Sequence, residues 1–162
     1  MVDSGTYQES VVLERVFDAP IDLVWRMWTD PMSFKAWYGP AGATVPVAEL
    51  DVRPGGRRRV CMAVGQTEMW FTGQHLEVTE PTRLVYTETI ADERGNPISA
   101  ESLSLPPKTP ETTEVTVVLD EVNGGTRVTL THAGVPADSG AAGGWNGAFD
   151  KLAAELRAAT GN

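Results

Sequence analysis

A helical repeat in the last twenty residues constrains the fold more than any other feature of the sequence. One apolar face is predicted along WNGAFDKLAAELRAA, where large side chains recur at i, i+4, i+7 and i+11: Trp145, Phe149, Leu152 and Leu156. Gly161 is expected to close this alanine-rich helix, and the stretch from Gly140 to Gly144 is predicted to be its flexible approach. A helix with one apolar face needs a large apolar surface to cover it.

That surface is predicted to be a β-sheet, because most of the preceding chain alternates in the manner of strands separated by turn signals. A first strand is expected from Ser10 to Phe17. The later strand candidates run from Thr44 to Asp51, Arg57 to Val64, Glu68 to Val78, Leu84 to Ile90, Thr113 to Val122 and Thr126 to Ala133. Asn123-Gly124-Gly125 is a strong hairpin signal, since these residues tolerate positive φ. The polar stretch from Asp92 to Glu111 is long for a hairpin loop and is a candidate lid.

Two short helices are predicted between the first strand and the others. The first has an apolar face with the helical spacing: Ile21, Val24, Trp25 and Trp28. The second extends from Pro31 to Trp37 and is stopped by Gly39-Pro40. The order of elements predicts a single α+β domain, residues 1–162, in which a curved antiparallel sheet grips the final helix.

Charge and composition exclude several classes of protein. The 162 residues include 13 basic and 22 acidic side chains, and a net charge of −9 repels nucleic acid and anionic lipid. No apolar run reaches the roughly 20 residues that a membrane span requires. Residues 1–10 lack the features of a secretory signal, and the single cysteine, Cys61, fits a reducing compartment, so a cytoplasmic location is expected.

Three stretches carry a resemblance to a known family. They are RVFDAPIDLVWRMWTDPMSFKAWYGP (Arg15 to Pro40), GGTRVTLTHAGVP (Gly124 to Pro136) and GWNGAFDKLAAEL (Gly144 to Leu156). Together they resemble the signature stretches of START-like, or SRPBCC, domains. Within that superfamily they are most similar to bacterial homologues of the C-terminal domain of the heat-shock-protein-90 ATPase activator. The resemblance extends over nearly the whole chain, from Val11 to Arg157.

The resemblance implies the helix-grip fold, also seen in the birch pollen allergen. In that fold a seven-stranded curved antiparallel sheet wraps a long C-terminal helix, and two short helices after the first strand close one end. Members of the superfamily often bind lipids, sterols, polyketides or other apolar molecules between the sheet and the helix. The function expected here is therefore binding of a small apolar ligand in such a cavity.

The expected ligand site consists of aromatic side chains and a few polar ones, which is the usual lining of a small-molecule site. The predicted ligand-binding residues are Trp25, Trp37, Tyr38, Met62, Trp70, Tyr86, His132, Trp145 and Phe149. Tyr38 and His132 are expected to be the polar contacts, with Trp37 and Tyr38 at the cavity entrance. Trp70 rather than Phe71 is expected to point inward, since neighbours on a strand face opposite sides. The alternative is that these rings only fill a core.

Charged side chains on the strands give a second set of expectations. Arg57-Arg58-Arg59 is predicted to lie on a solvated strand with one arginine aimed inward or at a carboxylate. A buried glutamate beside an arginine would have a perturbed pKa and would be a candidate for a site. The glutamates considered are Glu68, Glu88 and Glu114, and the arginines are Arg15 and Arg59.

No cofactor, metal or catalytic residue is predicted. Cys61, His75 and His132 lie on separate predicted strands without paired spacing, so they do not indicate a zinc site. No nucleophile elbow, P-loop or dinucleotide fingerprint occurs. Two other functions stay open: an enzyme of the polyketide cyclase or aromatase type, and a protein-binding module that modulates a chaperone ATPase. A homodimer is also kept as an alternative.

Overall fold

The computed structural model describes residues 10–98, 111–135 and 140–161. The elements in chain order are β1 (Ser10–Phe17), α1 (Ile21–Thr29), α2 (Pro31–Lys35), β2 (Thr44–Leu50), β3 (Arg57–Val64), β4 (Thr67–Thr79), β5 (Arg83–Ala91), β6 (Thr112–Val122), β7 (Gly125–Ala133) and α3 (Ala141–Thr160). The predicted α+β order, with two short helices after the first strand and a long helix last, is confirmed. The predicted lid falls largely on residues 99–110, which lie outside the described residues.

The seven strands form one antiparallel sheet in the order β1-β7-β6-β5-β4-β3-β2. After β1 the two short helices carry the chain to the far edge of the sheet, and the meander from β2 then returns to β1. The hairpin between β6 and β7 turns at Asn123 and Gly124, which have φ of 50° and 84°. Both values lie in the left-handed region, as a two-residue hairpin turn requires.

The inner face of the sheet follows from the strand register, because residues opposite one another in antiparallel strands share a face. Tyr86 of β5 is opposite Val115 of β6, which is opposite His132 of β7, which is opposite Val11 of β1. All but His132 in this row are buried. The curved sheet thus presents a continuous inner surface that helices α1 and α3 cover.

Helix α3 packs its predicted apolar face onto this surface, with Trp145, Phe149, Leu152 and Leu156 buried. The rings of Phe149 and Phe17 meet edge to face with centroids 5.7 Å apart. Gly161 ends the helix in the left-handed conformation, at φ 78°.

The predicted flexible approach to α3 is wrong, because Gly143 and Gly144 lie within the helix, which begins at Ala141. A third glycine of this helix, Gly147, is required by packing. A Cβ there would lie 2.9 Å from the backbone nitrogen of Ala41, so only glycine lets the helix approach the loop after α2.

The sequence predicts no membrane-spanning helix. Among the residues that the structure describes, no helix combines the length and the apolar character needed to cross a bilayer.

Candidate functional site

The aromatic residues after α2 point into the domain rather than toward its rim. Trp37 is fully buried, and its Nε1 donates to the carbonyl oxygen of Met27 at 2.8 Å. Its ring packs against Trp28 with centroids 4.6 Å apart, while Tyr38 stacks on Phe34 at 4.2 Å. Trp37 therefore acts as a core residue that positions Tyr38, and the expectation that it lies at a cavity entrance is wrong.

The rings continue from the short helices to α3. Trp145 contacts Trp28 at 6.1 Å, Tyr38 at 5.6 Å and Phe149 at 6.1 Å between ring centroids. Offset and edge-to-face pairs of this kind add stability beyond the apolar area that they bury. These connected rings form an aromatic wall that covers the inner face of the sheet and consists of Trp28, Phe34, Trp37, Tyr38, Trp145 and Phe149.

A buried polar cluster lies where this wall meets the sheet. The hydroxyl of Tyr38 donates to Oε2 of Glu88 at 3.0 Å, and the hydroxyls of Tyr38 and Tyr86 are 2.5 Å apart. Nη1 of Arg58 donates to the same Oε2 at 3.2 Å. The side chains of this ion pair are only 2% and 7% exposed, so two opposite charges are buried together. We call Arg58, Glu88, Tyr38 and Tyr86 the polar cluster.

The protons of the two tyrosines are committed within the polar cluster. Because Tyr38 gives its proton to Glu88, the short contact between the hydroxyls is made by Tyr86 donating to Tyr38. Burial raises the pKa of Tyr86, and burial together with Glu88 and Tyr86 holds the pKa of Tyr38 well above its ordinary value. Both side chains therefore stay protonated and act as hydrogen-bond donors.

Arg58 reaches the cluster across strand β4. The residue opposite it on β4 is Gly73, which has no side chain to block the path to Glu88 on β5. A Cβ at Gly73 would lie 1.9 Å from the carbonyl oxygen of Thr87, so the site requires glycine. The guanidinium lies over the ring of Tyr86, with its Cζ 3.7 Å from the ring centroid, a distance that favours a cation–π interaction.

Two buried nitrogen–hydrogen groups beside the cluster have no acceptor in the part of the chain that the structure describes: Nε of Arg58 and Nε1 of Trp28. Both side chains contact the ring of Tyr38. The ring centroid of Trp28 is 6.3 Å from that of Tyr38, and Cζ of Arg58 is 6.0 Å from it. Buried donors almost always have a partner, so these two groups are exceptions that require an explanation.

His132, on the same inner face of the sheet as the polar cluster, contacts helix α3. Its Nδ1 accepts from the indole Nε1 of Trp145 at 3.0 Å, and its Nε2 lies 2.8 Å from Oγ1 of Thr113. An indole nitrogen can only donate, so the neutral ring carries its proton on Nε2. Burial lowers the pKa of His132, and the charge of Glu88 opposes this in part. The predicted polar role of His132 is thus internal: it holds Trp145 against the sheet.

The loop after α2 is fixed to α3 by a lysine. Nζ of Lys151 donates to the carbonyl oxygens of Tyr38, Pro40 and Ala43 at 3.4, 3.1 and 3.2 Å. The loop bends at Gly39, whose φ is 90° and which lies beside Sδ of Met62. Helix α3 therefore sets the position of the backbone that carries Tyr38.

The structure brings together most of the predicted ligand-binding residues, but not two of the tryptophans. Those that line the inner side are Trp37, Tyr38, Met62, Tyr86, His132, Trp145 and Phe149. Trp25 is buried in the same core, but it borders a separate open cleft of about 500 Å³ between α1 and the ends of the neighbouring strands, with Val78 and Glu80.

The prediction that Trp70 points inward is wrong. Trp70 is opposite Cys61, and Cζ of Arg59 lies 4.4 Å from its ring centroid, on the face away from Arg58. Its neighbour Phe71 takes the inner position, opposite Val60.

The prediction of one inward arginine among residues 57–59 is confirmed by Arg58, but its importance for the site was missed. Its partner is Glu88, one of the three glutamates considered, whereas the arginines considered were Arg15 and Arg59. The signal that could have found the pair is Gly73, a glycine inside a strand pattern, which marks a close approach. Within the described ranges, no three His, Cys, Asp or Glu side chains are grouped so as to hold a metal ion.

A seven-stranded sheet around a long last helix, with two short helices after the first strand, defines a START-like helix-grip domain. The sequence model for Activator of Hsp90 ATPase homolog 1-like proteins matches residues 18–157, and the chain belongs to that family. No curated protein matches the chain.

Solved bacterial structures share this fold. A protein of Nitrosomonas europaea is 22% identical with a TM-score of 0.77, and the match covers 99% of this chain and 100% of that one. A protein of Chromobacterium violaceum is 25% identical with a TM-score of 0.75, over 91% and 96% of the two chains. CalU16 of Micromonospora echinospora is 25% identical with a TM-score of 0.60, over 91% and 75%.

Proposed function

We propose that this protein binds a small apolar molecule between the inner face of its sheet and helix α3. The polar cluster is the observation that carries the proposal. Burying a charged pair is expensive, and an apolar replacement of similar volume is often at least as stable. Folding alone therefore does not explain why Arg58 and Glu88 lie beneath an aromatic wall. Aromatic walls with a few convergent polar groups are typical of small-molecule sites.

In this proposal the ligand would contact the seven predicted residues that line the inner side of the sheet. Tyr38, Tyr86 and Trp145 would supply flat apolar contacts, and the polar cluster would orient the ligand. His132 acts through Trp145, because its two ring nitrogens are occupied by Trp145 and Thr113. Trp25, which borders the open cleft, and Trp70, which lies on the outer face, are not among these contacts.

Native mass spectrometry of the protein purified from its own host tests the proposal. A discrete mass in addition to that of the chain is expected, and organic extraction should release an apolar compound. Two matched variants locate it, because both replace a tryptophan by phenylalanine. Trp145→Phe should lower the occupied fraction severalfold, whereas Trp70→Phe on the outer face should leave it unchanged. Protein that is empty from its host and takes up no apolar compound would contradict the proposal.

The second candidate is an enzyme of the polyketide cyclase or aromatase type. Several convergent polar groups and a histidine with a lowered pKa favour it. With pKa values raised by burial, the tyrosines would act as hydrogen-bond donors to a substrate carbonyl rather than as bases. Turnover of a bound polyketide-like substrate, lost in Tyr38→Phe, would distinguish this function from binding alone.

Chaperone activation is the least supported of the functions. It requires an exposed apolar or charged patch. The exposed large apolar side chains of the described residues are divided among four elements: Val12 and Val16 on β1, Met32 on α2, Val64 on β3 and Leu76 on β4.

Within the described residues Cys61 is a buried free thiol, which is consistent with the cytoplasmic location that we propose.

A further inference from the structure

The polar cluster has more hydrogen-bond donors than its own acceptors satisfy. Oε2 of Glu88 accepts from both Arg58 and Tyr38, and the hydroxyl of Tyr38 accepts from Tyr86. Nε of Arg58 is left without an acceptor anywhere in residues 10–98, 111–135 and 140–161, although the side chain is only 2% exposed. Leaving a buried donor next to a charge unpaired is costly. The missing complement is therefore an acceptor.

A second donor with the same need belongs to a ring of the aromatic wall itself. Nε1 of Trp28 is buried and has no acceptor in the described ranges. Trp28 and Arg58 both contact the ring of Tyr38. Since an indole nitrogen and a guanidinium can only donate, neither can satisfy the other. The ligand must therefore supply a hydrogen-bond acceptor, and a group that can only donate would not help them.

The charge of the cluster limits the acceptor further. The guanidinium of Arg58 is already matched by the carboxylate of Glu88 at 3.2 Å. A carboxylate or phosphate brought to Arg58 would add an unmatched negative charge to a buried site, close to Glu88 and in a chain of net charge −9. A neutral oxygen acceptor avoids that cost.

We propose that the ligand is an uncharged apolar molecule bearing a carbonyl oxygen, such as a ketone or an ester, and that this oxygen accepts from Nε of Arg58. The inference rests on the proposed function and adds the chemical class of the ligand. The rings of Tyr86, Tyr38 and Phe34, all of which surround the guanidinium, would contact the apolar body beside the carbonyl.

Three small probes of similar shape test the proposal: acetophenone, isopropylbenzene and benzoate. Their dissociation constants for the wild-type protein are measured by titration in ¹⁵N-resolved NMR spectra. The buried Nε–H of Arg58 is observed directly and is assigned by its absence in Arg58→Lys. Acetophenone should bind about tenfold more tightly than isopropylbenzene, the gain of one hydrogen bond to a charged group. It should also move the Arg58 signal, and benzoate should bind most weakly.

Two variants separate the carbonyl contact from apolar binding. In Arg58→Lys the ammonium can still pair with Glu88, but no N–H remains at the position of Nε, so acetophenone should lose most of its advantage over isopropylbenzene. Glu88→Gln removes the negative charge, so benzoate should gain about tenfold relative to acetophenone. The wild-type ranking does not depend on either variant being well folded.

The outcomes distinguish this inference from the proposed function. If isopropylbenzene and acetophenone bind equally and the Arg58 Nε–H signal does not move, an internal water satisfies the donor. The carbonyl inference is then wrong while apolar binding stands. If benzoate binds the wild type most tightly, the charge argument is wrong. If none of the probes binds, the proposed function fails together with the inference.

Discussion

Nη1 of Arg58 lies 3.2 Å from Oε2 of Glu88, and strand β4 lies between the two strands that carry them. The pair is close because Gly73 leaves the space over β4 open. Neither charge is solvated, so each depends on the other.

Removing one partner of this pair should therefore cost far more than removing both. Arg58→Met should lower the free energy of unfolding by about 3–5 kcal/mol, because it leaves the carboxylate buried without a cation. Glu88→Leu should have a similar effect for the opposite reason, and the double variant should recover most of the loss. Urea unfolding of the four proteins gives the coupling energy. Additive losses would show that the pair is not coupled.

Stability should fall as the pH is lowered through the range in which histidines titrate. Burial lowers the pKa of both His132 and His75 in the folded state. The unfolded chain therefore binds more protons below its own histidine pKa of about 6.5. The stabilisation is complete above that pH and declines as the pH falls toward the lowered folded values. His132 would also lose its hydrogen bond from Trp145 on protonation, since Nδ1 would become a donor.

The contribution of His132 can be isolated with His132→Gln, whose amide can accept from Trp145 and donate to Thr113 without titrating. Thermal unfolding between pH 7.5 and 5 should show a shallower pH dependence in this variant, and the remaining slope should come from His75. An unchanged slope would exclude His132 as the titrating group.

Two glycines in α3 should respond to alanine with opposite signs. At Gly147 a Cβ would lie 2.9 Å from the backbone nitrogen of Ala41, whereas at Gly143 nothing lies within 4 Å. Gly143→Ala should stabilise the protein by about 0.5–1 kcal/mol through helix propensity. Gly147→Ala should destabilise it, because the loop held by Lys151 must move. Denaturant midpoints measure both effects, and a stabilising Gly147→Ala would refute the close approach.

The fold was predictable because its signals are local. Strand alternation and the Asn123-Gly124 turn depend on neighbours in sequence, as does the spacing from Trp145 to Leu156. The start of α3 was missed because Gly143 and Gly144 lower local helix propensity. The contact of Gly147 with Ala41 joins residues more than 100 positions apart, and no local pattern shows it.

The site was predictable only in part. Alternation shows that Trp70 and Phe71 face opposite sides but not which of them is inside, and that depends on their register with β3. Arg58 on β3 and Glu88 on β5 are 30 residues apart in sequence and are separated by β4 in the sheet, so no local pattern reveals their pairing. Aromatic side chains were recognised from composition, whereas the charged pair required the three-dimensional arrangement.

The location of binding is the central claim, and the five tryptophans report on it directly. Their indole N–H signals, assigned by single Trp→Phe variants, are followed while isopropylbenzene is added. We predict shifts at Trp28, Trp37 and Trp145, which lie in the aromatic wall, and none at Trp25 in the open cleft or Trp70 on the outer face. Shifts confined to Trp25 or Trp70, with the three wall signals unmoved, would contradict the account.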